Sequence, residues 1–332
     1  MSEQPTFVVI GSNSFSGASF VSHLLGKGYR VIGISRSEQP NDALLPYRWQ
    51  PAPGQFTFHQ LDLNRDLTEI CDLLTEVRPA YVVNFAAQSM VAESWANPDH
   101  WFMTNLVSTV RLHDALRKMA FLKRYVHIST PEVYGSTSGD VTESAAFNPS
   151  TPYAVSRAAA DMSLRTFHAA YDFPVVYTRA ANVYGPGQQL YRIIPRTILC
   201  IRSGTKLMLH GGGTSQRSFI HMDDVSDATL RVALHGRDGE SYHISTPRQI
   251  TIRELVELIC DRMGTQLEAV AEVVGERVGK DAAYQLNSDK IRRELGWADR
   301  VSLEQGIEQT ISWVDANLST LQSLPQSYVH KA

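Results

Sequence analysis

The feature that most restricts the fold lies in the first forty residues: an apolar run, a turn bounded by two glycines, an amphipathic stretch and a second apolar run. Phe7-Val8-Val9-Ile10 suits a strand covered on both faces. Gly11 to Gly17 turns the chain, Ala18 to Gly26 predicts a helix ending near Gly28, and Val31-Ile32-Gly33-Ile34 predicts a second buried strand. Strand, helix and strand in that order make a βαβ unit. Further strands are expected at Tyr81–Phe85, Tyr125–Ile128 and Val175–Tyr177, separated by helical patterns at 65–77, 99–118 and 153–171. Such alternation predicts an α/β fold, a doubly wound parallel sheet of Rossmann type with right-handed crossovers.

After Tyr184-Gly185-Pro186-Gly187 the rhythm changes. Helices near 193–203, 223–235, 251–263, 288–295 and 302–317 alternate with short strands, which predicts a smaller C-terminal mixed α/β lobe. Residues 1–180 therefore read as a dinucleotide-binding domain. Residues 181–320 read mainly as a substrate lobe, with some segments returning to the first domain. From about Thr320 periodicity fades, and a loosely held tail is expected.

Composition removes several classes of partner. Among 332 residues the net charge is −3, which gives no electrostatic footprint for nucleic acid or an anionic membrane. No apolar run approaches the roughly 20 residues that span a bilayer. Met1 to Pro5 is too short and polar for a signal peptide. The three cysteines, Cys71, Cys200 and Cys260, are odd in number and far apart, so they read as reduced thiols and not as a disulfide framework or zinc ribbon. A soluble, cytoplasmic protein is the expectation.

The turn Gly11-Ser12-Asn13-Ser14-Phe15-Ser16-Gly17 keeps glycine at the first and last positions of a Gly-x-x-Gly-x-x-Gly pattern, with Ser14 in the middle place. Between a buried strand and a helix N-terminus, such a turn suits a diphosphate, because backbone N–H groups and the helix dipole both face it. An ordinary βα turn is the alternative. The second strand ends Ile34-Ser35-Arg36-Ser37, without the acid that would hold the ribose hydroxyls of NAD. Arg36 between two serines suits a 2′-phosphate, so NADP is favoured and NAD possible. Asp62, at the end of a third strand, is placed to accept from the adenine amino group or to cap the next helix.

Ser129-Thr130-Pro131-Glu132-Val133-Tyr134-Gly135 follows a strand at the carboxyl edge of the sheet, where ligands bind. Pro152-Tyr153-Ala154-Val155-Ser156-Arg157 opens a helix, with Tyr153 and Arg157 one turn apart on one face. A tyrosine beside a fixed cation ionises more readily and can serve as the base in hydride transfer from an alcohol. Taken alone, the pair reads as plain packing with a surface charge.

These segments together resemble the extended short-chain dehydrogenases/reductases that act on nucleotide sugars. The resemblance also takes in Asn84-Phe85-Ala86-Ala87, Arg179 to Pro186 and Arg217 to Asp224. The tail Arg277-Val278-Gly279-Lys280-Asp281, Tyr284 and Ser288 to Ile291 is similar to that of hexose 4,6-dehydratases. Ala86-Ala87-Gln88-Ser89-Met90-Val91 with Ser94-Trp95 resembles GDP-mannose 4,6-dehydratases in particular, and the wider group includes those of dTDP-glucose. What the resemblance implies is a 4,6-dehydratase on a nucleoside-diphosphate sugar. Thr130 would bind the sugar 4-hydroxyl, Tyr153 would deprotonate it, and Glu132 would remove the C5 proton before water leaves from C6. Gly11, Ser14, Phe15, Ser16, Gly17, Ser35, Arg36, Asp62, Leu63, Ala86 and Ala87 would hold the cofactor with Tyr153 and Arg157. Gln88, Ser89, Asn182, Arg217 and Arg277 would hold the substrate. A homodimer through helices 99–118 and 153–171 is also implied.

Two positions depart from the family pattern. Arg157 stands where the family has Lys, and Pro131 stands where dehydratases carry Asp or Ser, so it offers no proton to the leaving C6 oxygen. These departures keep open an epimerase, 4-ketoreductase or decarboxylase of the same superfamily, and a non-catalytic nucleotide-binding protein. Other signals lead elsewhere. His210-Gly211-Gly212-Gly213 has no Gly-x-Ser-x-Gly partner and reads as a connection in the lobe. His221 with Asp223 and Asp224 reads as an acid-rich helix start and not a metal site.

Overall fold

A computed structural model describes residues 4–52, 54–137, 139–144, 146–275 and 285–331; Arg277, Lys280, Asp281 and Tyr284 lie outside them. The first unit is β1 (Phe7–Ile10), α1 (Phe15–Gly26) and β2 (Arg30–Ser35), followed by β3 (Gln55–Gln60), α2 (Leu67–Val77) and β4 (Tyr81–Asn84). Next come α3 (Pro98–Phe102), a π-helical turn at Met103–Ser108, α4 (Thr109–Leu116), β5 (Arg124–Ile128) and the short β6 (Asp140–Val141). The long α5 (Pro152–Tyr171) leads to β7 (Val175–Ala180). Beyond it lie β8 (Asn182–Tyr184), α6 (Ile193–Ser203), β9 (Leu207–His210), β10 (Gln216–Arg217), β11 (Phe219–His221) and α7 (Met222–His235). The remainder comprises β12 (Ser241–Ile244), β13 (Ile250–Thr251), α8 (Ile252–Arg262), α9 (Leu267–Val270), β14 (Ala271–Val274), β15 (Gln285–Leu286), α10 (Asp289–Leu295), α11 (Leu303–Ala316) and α12 (Leu318–Ser323).

Seven strands form the central sheet in the order β3-β2-β1-β4-β5-β7-β12, every neighbouring pair parallel. The apolar runs are its middle. Val8, Val9, Val82, Val83, Val126 and Val176 are fully buried, each contributing about 1.5–3 kcal/mol relative to exposure. Phe7 stacks on Tyr81 of the adjacent strand at 4.7 Å. The outermost strand, β12, comes from the C-terminal half of the chain and pairs with β7 from Ser241↔Tyr177 to Ile244↔Ala180. Smaller two-stranded pairs, β8 with β11 and β9 with β14, build the second lobe beside the sheet's carboxyl edge.

Local chemistry sets the helix starts. Thr151 caps α5 by accepting from the Ala154 N–H, and Pro152 occupies the first helical position, where a missing N–H costs nothing. Capping boxes open α8 (Thr251, Glu254) and α11 (Ser302, Gln305). The pattern at 99–118, expected as one helix, is interrupted by the π turn. That turn directs Asn105 inward, where its side chain pairs with both backbone groups of Gln88 at 2.8 and 2.9 Å. Residues beyond Thr320 are packed and not loose: α12 buries Leu321, and Tyr328 to Lys331 return to the first lobe.

Candidate active site

The glycine turn is built by close approach. Gly11 sits at φ +83°, and a Cβ there would lie 2.6 Å from the Ala86 nitrogen. A Cβ on Gly17 would strike the Gly11 carbonyl and lie 2.9 Å from Ser14 Oγ. The middle position has no such demand. Ser14 adopts φ −72° and ψ 157°, donates to the Gly11 carbonyl at 2.7 Å and caps α1 by accepting from the Gly17 N–H at 3.1 Å. Phe15 and Ser16 begin the helix, so their N–H groups have no carbonyl one turn back and face the sheet's open edge. A bare glycine cradle against a helix N-terminus fits a dinucleotide diphosphate.

A cleft of about 970 Å³ runs from this turn into the second lobe. It gathers Ser14, Phe15, Ser16, Ala87 and Ser89 from one side, Thr130, Glu132, Tyr153 and Arg157 from the middle, and Asn182 and Arg217 from the other. Thr130 ends the segment after β5 and caps a 3-10 turn over Pro131–Tyr134, its hydroxyl accepting from the Glu132 N–H at 3.3 Å. Pro131 sits at the first position of that turn, so it suits the backbone while supplying no side-chain proton. Tyr153, in the first turn of α5, hydrogen-bonds the Thr130 side chain. Burial pushes the Tyr153 phenol up, the Glu132 carboxylate adds to this, and the Arg157 guanidinium opposes both.

Arg157 lines the cleft, yet its guanidinium turns inward. Nη2 donates to the Ile128 carbonyl and lies 3.3 Å from His127 Nε2, and the residue is 2% exposed. Beneath it lies a buried polar network. Asp161 accepts from Ser129 Oγ at 2.6 Å and Arg179 Nη2 at 2.7 Å, with His127 Nε2 3.2 Å from its other oxygen. Arg179 also donates to the Tyr134 hydroxyl at 3.2 Å, which pairs with His243 Nε2 at 2.9 Å. Burial alone would push Asp161 up, but Arg179, His127 and Ser129 hold it well below the usual carboxylate range. Burial, reinforced by the Arg179 charge, lowers His243 to about 3. Burial also holds His127 and His113 below their ordinary value.

The remaining expected site residues fall elsewhere. Ser35 accepts from the Asn13 N–H at 3.0 Å and so ties β2 to the glycine turn. Leu63 is buried in the core beside Ile70 and Leu74. Asp62 caps no helix: α2 is preceded by Asp66, and Asp62 Oδ1 instead accepts from the Asn64 N–H at 2.9 Å, closing a tight turn. Ala86 N–H is held by Asn84 Oδ1 at 2.9 Å, which shapes the backbone after β4. Gln88 is buried outside the cleft wall and donates to the Lys331 carbonyl at 2.7 Å; Arg36 Nη2 donates to the same oxygen at 3.2 Å. His221 caps α7, and Asp224 accepts from the backbone of Arg300 and Val301 at 3.0 Å each.

The family model for GDP-mannose 4,6 dehydratase matches residues 8–310. The chain belongs to this family. A dTDP-glucose 4,6-dehydratase of Xanthomonas campestris pv. campestris is 31% identical over 339 residues, spanning 96% of this chain and 95% of the relative. Among solved structures, the dTDP-glucose 4,6-dehydratase DesIV of Streptomyces venezuelae with NAD bound superposes with a TM-score of 0.87 at 34% identity, covering 95% of this chain and 98% of that one. UDP-glucose 4-epimerase of Thermotoga maritima with UDP-glucose gives a TM-score of 0.85 at 26% identity, over 94% and 99% of the two chains.

For a member of this family, several cleft residues went unread in the sequence. Tyr191, Arg192 and Arg196 line the second lobe's side of the cleft, and Gln188 and Gln189 precede them. Arg192 and Arg196 stand one turn apart at the start of α6, just after the Tyr-Gly-Pro-Gly turn, and that spacing was the available signal. Among the described residues no cluster of three or more His, Cys, Asp or Glu has metal-ligand geometry, and no helix is long and apolar enough to cross a membrane.

Proposed function

We propose that this chain is an NAD(P)-dependent 4,6-dehydratase of a nucleoside-diphosphate hexose. The observation that carries the reading is the convergence of Thr130, Glu132 and Tyr153 on one cleft that opens onto the glycine turn. Residues 1–180 hold the dinucleotide and 181–320 mainly hold the sugar nucleotide. When bound, the nicotinamide supplies the acceptor for the C4 hydrogen and gives the same hydrogen back at C6. Thr130 holds the 4-hydroxyl, and Tyr153 takes its proton as the 4-ketone forms. The ketone acidifies C5–H, which Glu132 removes. With Pro131 offering no proton, Glu132 delivers the C5 proton to the departing C6 oxygen and then, recharged from solvent, protonates C5 as hydrogen returns to C6, so one carboxyl serves as base and acid. Asn182, Arg192 and Arg217 hold the diphosphate, where guanidinium forks suit its oxygens.

For the dinucleotide, Ser35, Arg36 and Ser37 favour a 2′-phosphate and hence NADP, although DesIV was solved with NAD. Free Cys71, Cys200 and Cys260 suit a cytoplasmic setting. A homodimer through α3, α4 and α5 would cover Met103 and Met162, which are 43% and 59% exposed; Trp101 and Leu116, by contrast, face the chain's own core. Light scattering that found a monomer at micromolar concentration would remove the dimer.

A second reading, a 4-epimerase, is favoured by Pro131 alone, because inversion at C4 needs no acid at C6. Mass spectrometry of products from GDP-, dTDP-, UDP- and CDP-hexoses with NAD or NADP separates the two. Loss of one water from a substrate supports the dehydratase. Turnover with unchanged mass, resolved by NMR, supports the epimerase and overturns the dehydratase.

A further inference from the structure

Residues 328–331 contact both lobes. The Tyr328 ring meets Tyr191 of the cleft wall edge-on at 5.7 Å, and its hydroxyl lies 3.2 Å from His330 Nδ1. The His330 ring stacks on Trp101 at 5.2 Å and on His100 at 5.1 Å, and its Nε2 hydrogen-bonds His100 Nδ1 at 2.8 Å. Lys331 then reaches the sheet edge. Its carbonyl accepts from Gln88 Nε2 and Arg36 Nη2, and its Nζ lies 3.2 Å from Ser37 Oγ.

Strand order makes this bridge informative. Arg36 follows β2 and Gln88 follows β4, and β1 lies between those two strands. A link from Arg36 to Gln88 therefore passes over the end of β1, whose next residue is Gly11. In a parallel sheet of this kind, the adenosine ribose of a dinucleotide lies beside the end of the second strand, and its diphosphate crosses that same glycine turn. The Lys331 carbonyl thus takes up donors at the sheet edge that would otherwise face ribose or phosphate oxygens. Consistent with this, the open cleft is lined by Ser14 to Ser16 but not by Arg36 or Gln88.

We infer that Arg36, Gln88, His100 and Trp101 form a slot with two mutually exclusive occupants: the chain's own residues 328–331, and the adenosine end of the dinucleotide. Entry of the dinucleotide lifts the segment off Trp101 and, through Tyr328, frees Tyr191 on the substrate side. The strap therefore opens both halves of the cleft together. This rests on the dinucleotide reading above.

Hydrogen–deuterium exchange on the unaltered chain, with and without saturating NADP or NAD, tests it without needing turnover. Faster exchange of the amides of 328–331 on adding the dinucleotide is the expected result; unchanged or slower exchange overturns the exclusion. In parallel, Tyr328→Ala with His330→Ala in the full chain should bind NADP about fivefold or more tightly by calorimetry, because the competing occupant is weakened. Equal or weaker binding overturns the inference and leaves the dinucleotide reading standing. If neither protein binds either dinucleotide at millimolar concentration, the reading itself fails and takes the strap with it.

Discussion

The two ends of the cofactor groove are held by different means. At the chemical end, Tyr153, Thr130 and Arg157 stand on a network in which His127, Asp161 and Arg179 are fully buried. At the end proposed for the adenosine, Arg36 and Ser37 are fastened to Lys331 by exposed hydrogen bonds. A buried hydrogen-bonded network positions side chains closely because breaking any one bond strands a partner in low dielectric. An exposed contact exchanges with water at little cost and so can give way to a ligand. The contrast sets a buried network beneath Tyr153 against a replaceable, solvent-exposed contact at Arg36.

The contrast can be broken most severely at Tyr153. Tyr153→Phe should lower turnover by about 10²–10⁴-fold, in line with loss of a general base, while NADP affinity changes little. Steady-state product formation beside calorimetric binding checks the split, and comparable loss of both would refute the assignment. Next, Asp161→Asn leaves the Arg179 cation buried without its counter-charge and should destabilise the fold by about 3–5 kcal/mol. Denaturant titration measures it; a change below 1 kcal/mol would mean the network contributes no more than a surface pair.

Glu132→Gln should abolish deuterium incorporation from solvent at C5 while leaving the thermal midpoint near that of the parent, since Glu132 lies in the cleft and not in the buried network. Incorporation at the parental rate would remove Glu132 as the C5 base.

The smallest effect per step is with pH. His113, His127 and His243 are all held neutral in the folded state, so the unfolded chain takes up their protons first as pH falls. Their stabilisation is therefore complete above the ordinary histidine value of 6.5 and is lost as pH drops from there toward about 3, where folded His243 itself titrates. His243 contributes a slope of up to about 1.4 kcal/mol per pH unit in that window, and His113 and His127 act in the same direction. Denaturation at pH 7, 6 and 5 should show stability falling stepwise. In contrast, exchange of 328–331 should track the dinucleotide and not this slope.

Much of the fold was legible because a parallel sheet writes itself as short apolar runs between amphipathic helices. The glycine turn, the segment after β5 and the start of α5 were equally plain, since each couples a backbone requirement to nearby residues. Thr151, Pro152 and Tyr153, for example, are cap, first turn and phenol within three positions. Harder to read were the inward turn of Arg157, the turn-closing use of Asp62, the basic pair Arg192 and Arg196, and the return of Lys331. The first and last of these do not follow from neighbours in the chain.

By itself, then, the sequence determined the strand and helix pattern, the glycine cradle, the turn joining Thr130 and Glu132 and the helix start at Tyr153, because each of those depends on residues a few positions apart. Only the tertiary structure decided where the charged side chains point. Arg157 meets a carbonyl 29 residues away, and Lys331 meets Arg36 across 295. Contacts at that separation are chosen by how strands and lobes pack, since hydrogen-bond donors go to whichever acceptors the fold brings within reach and water does not satisfy.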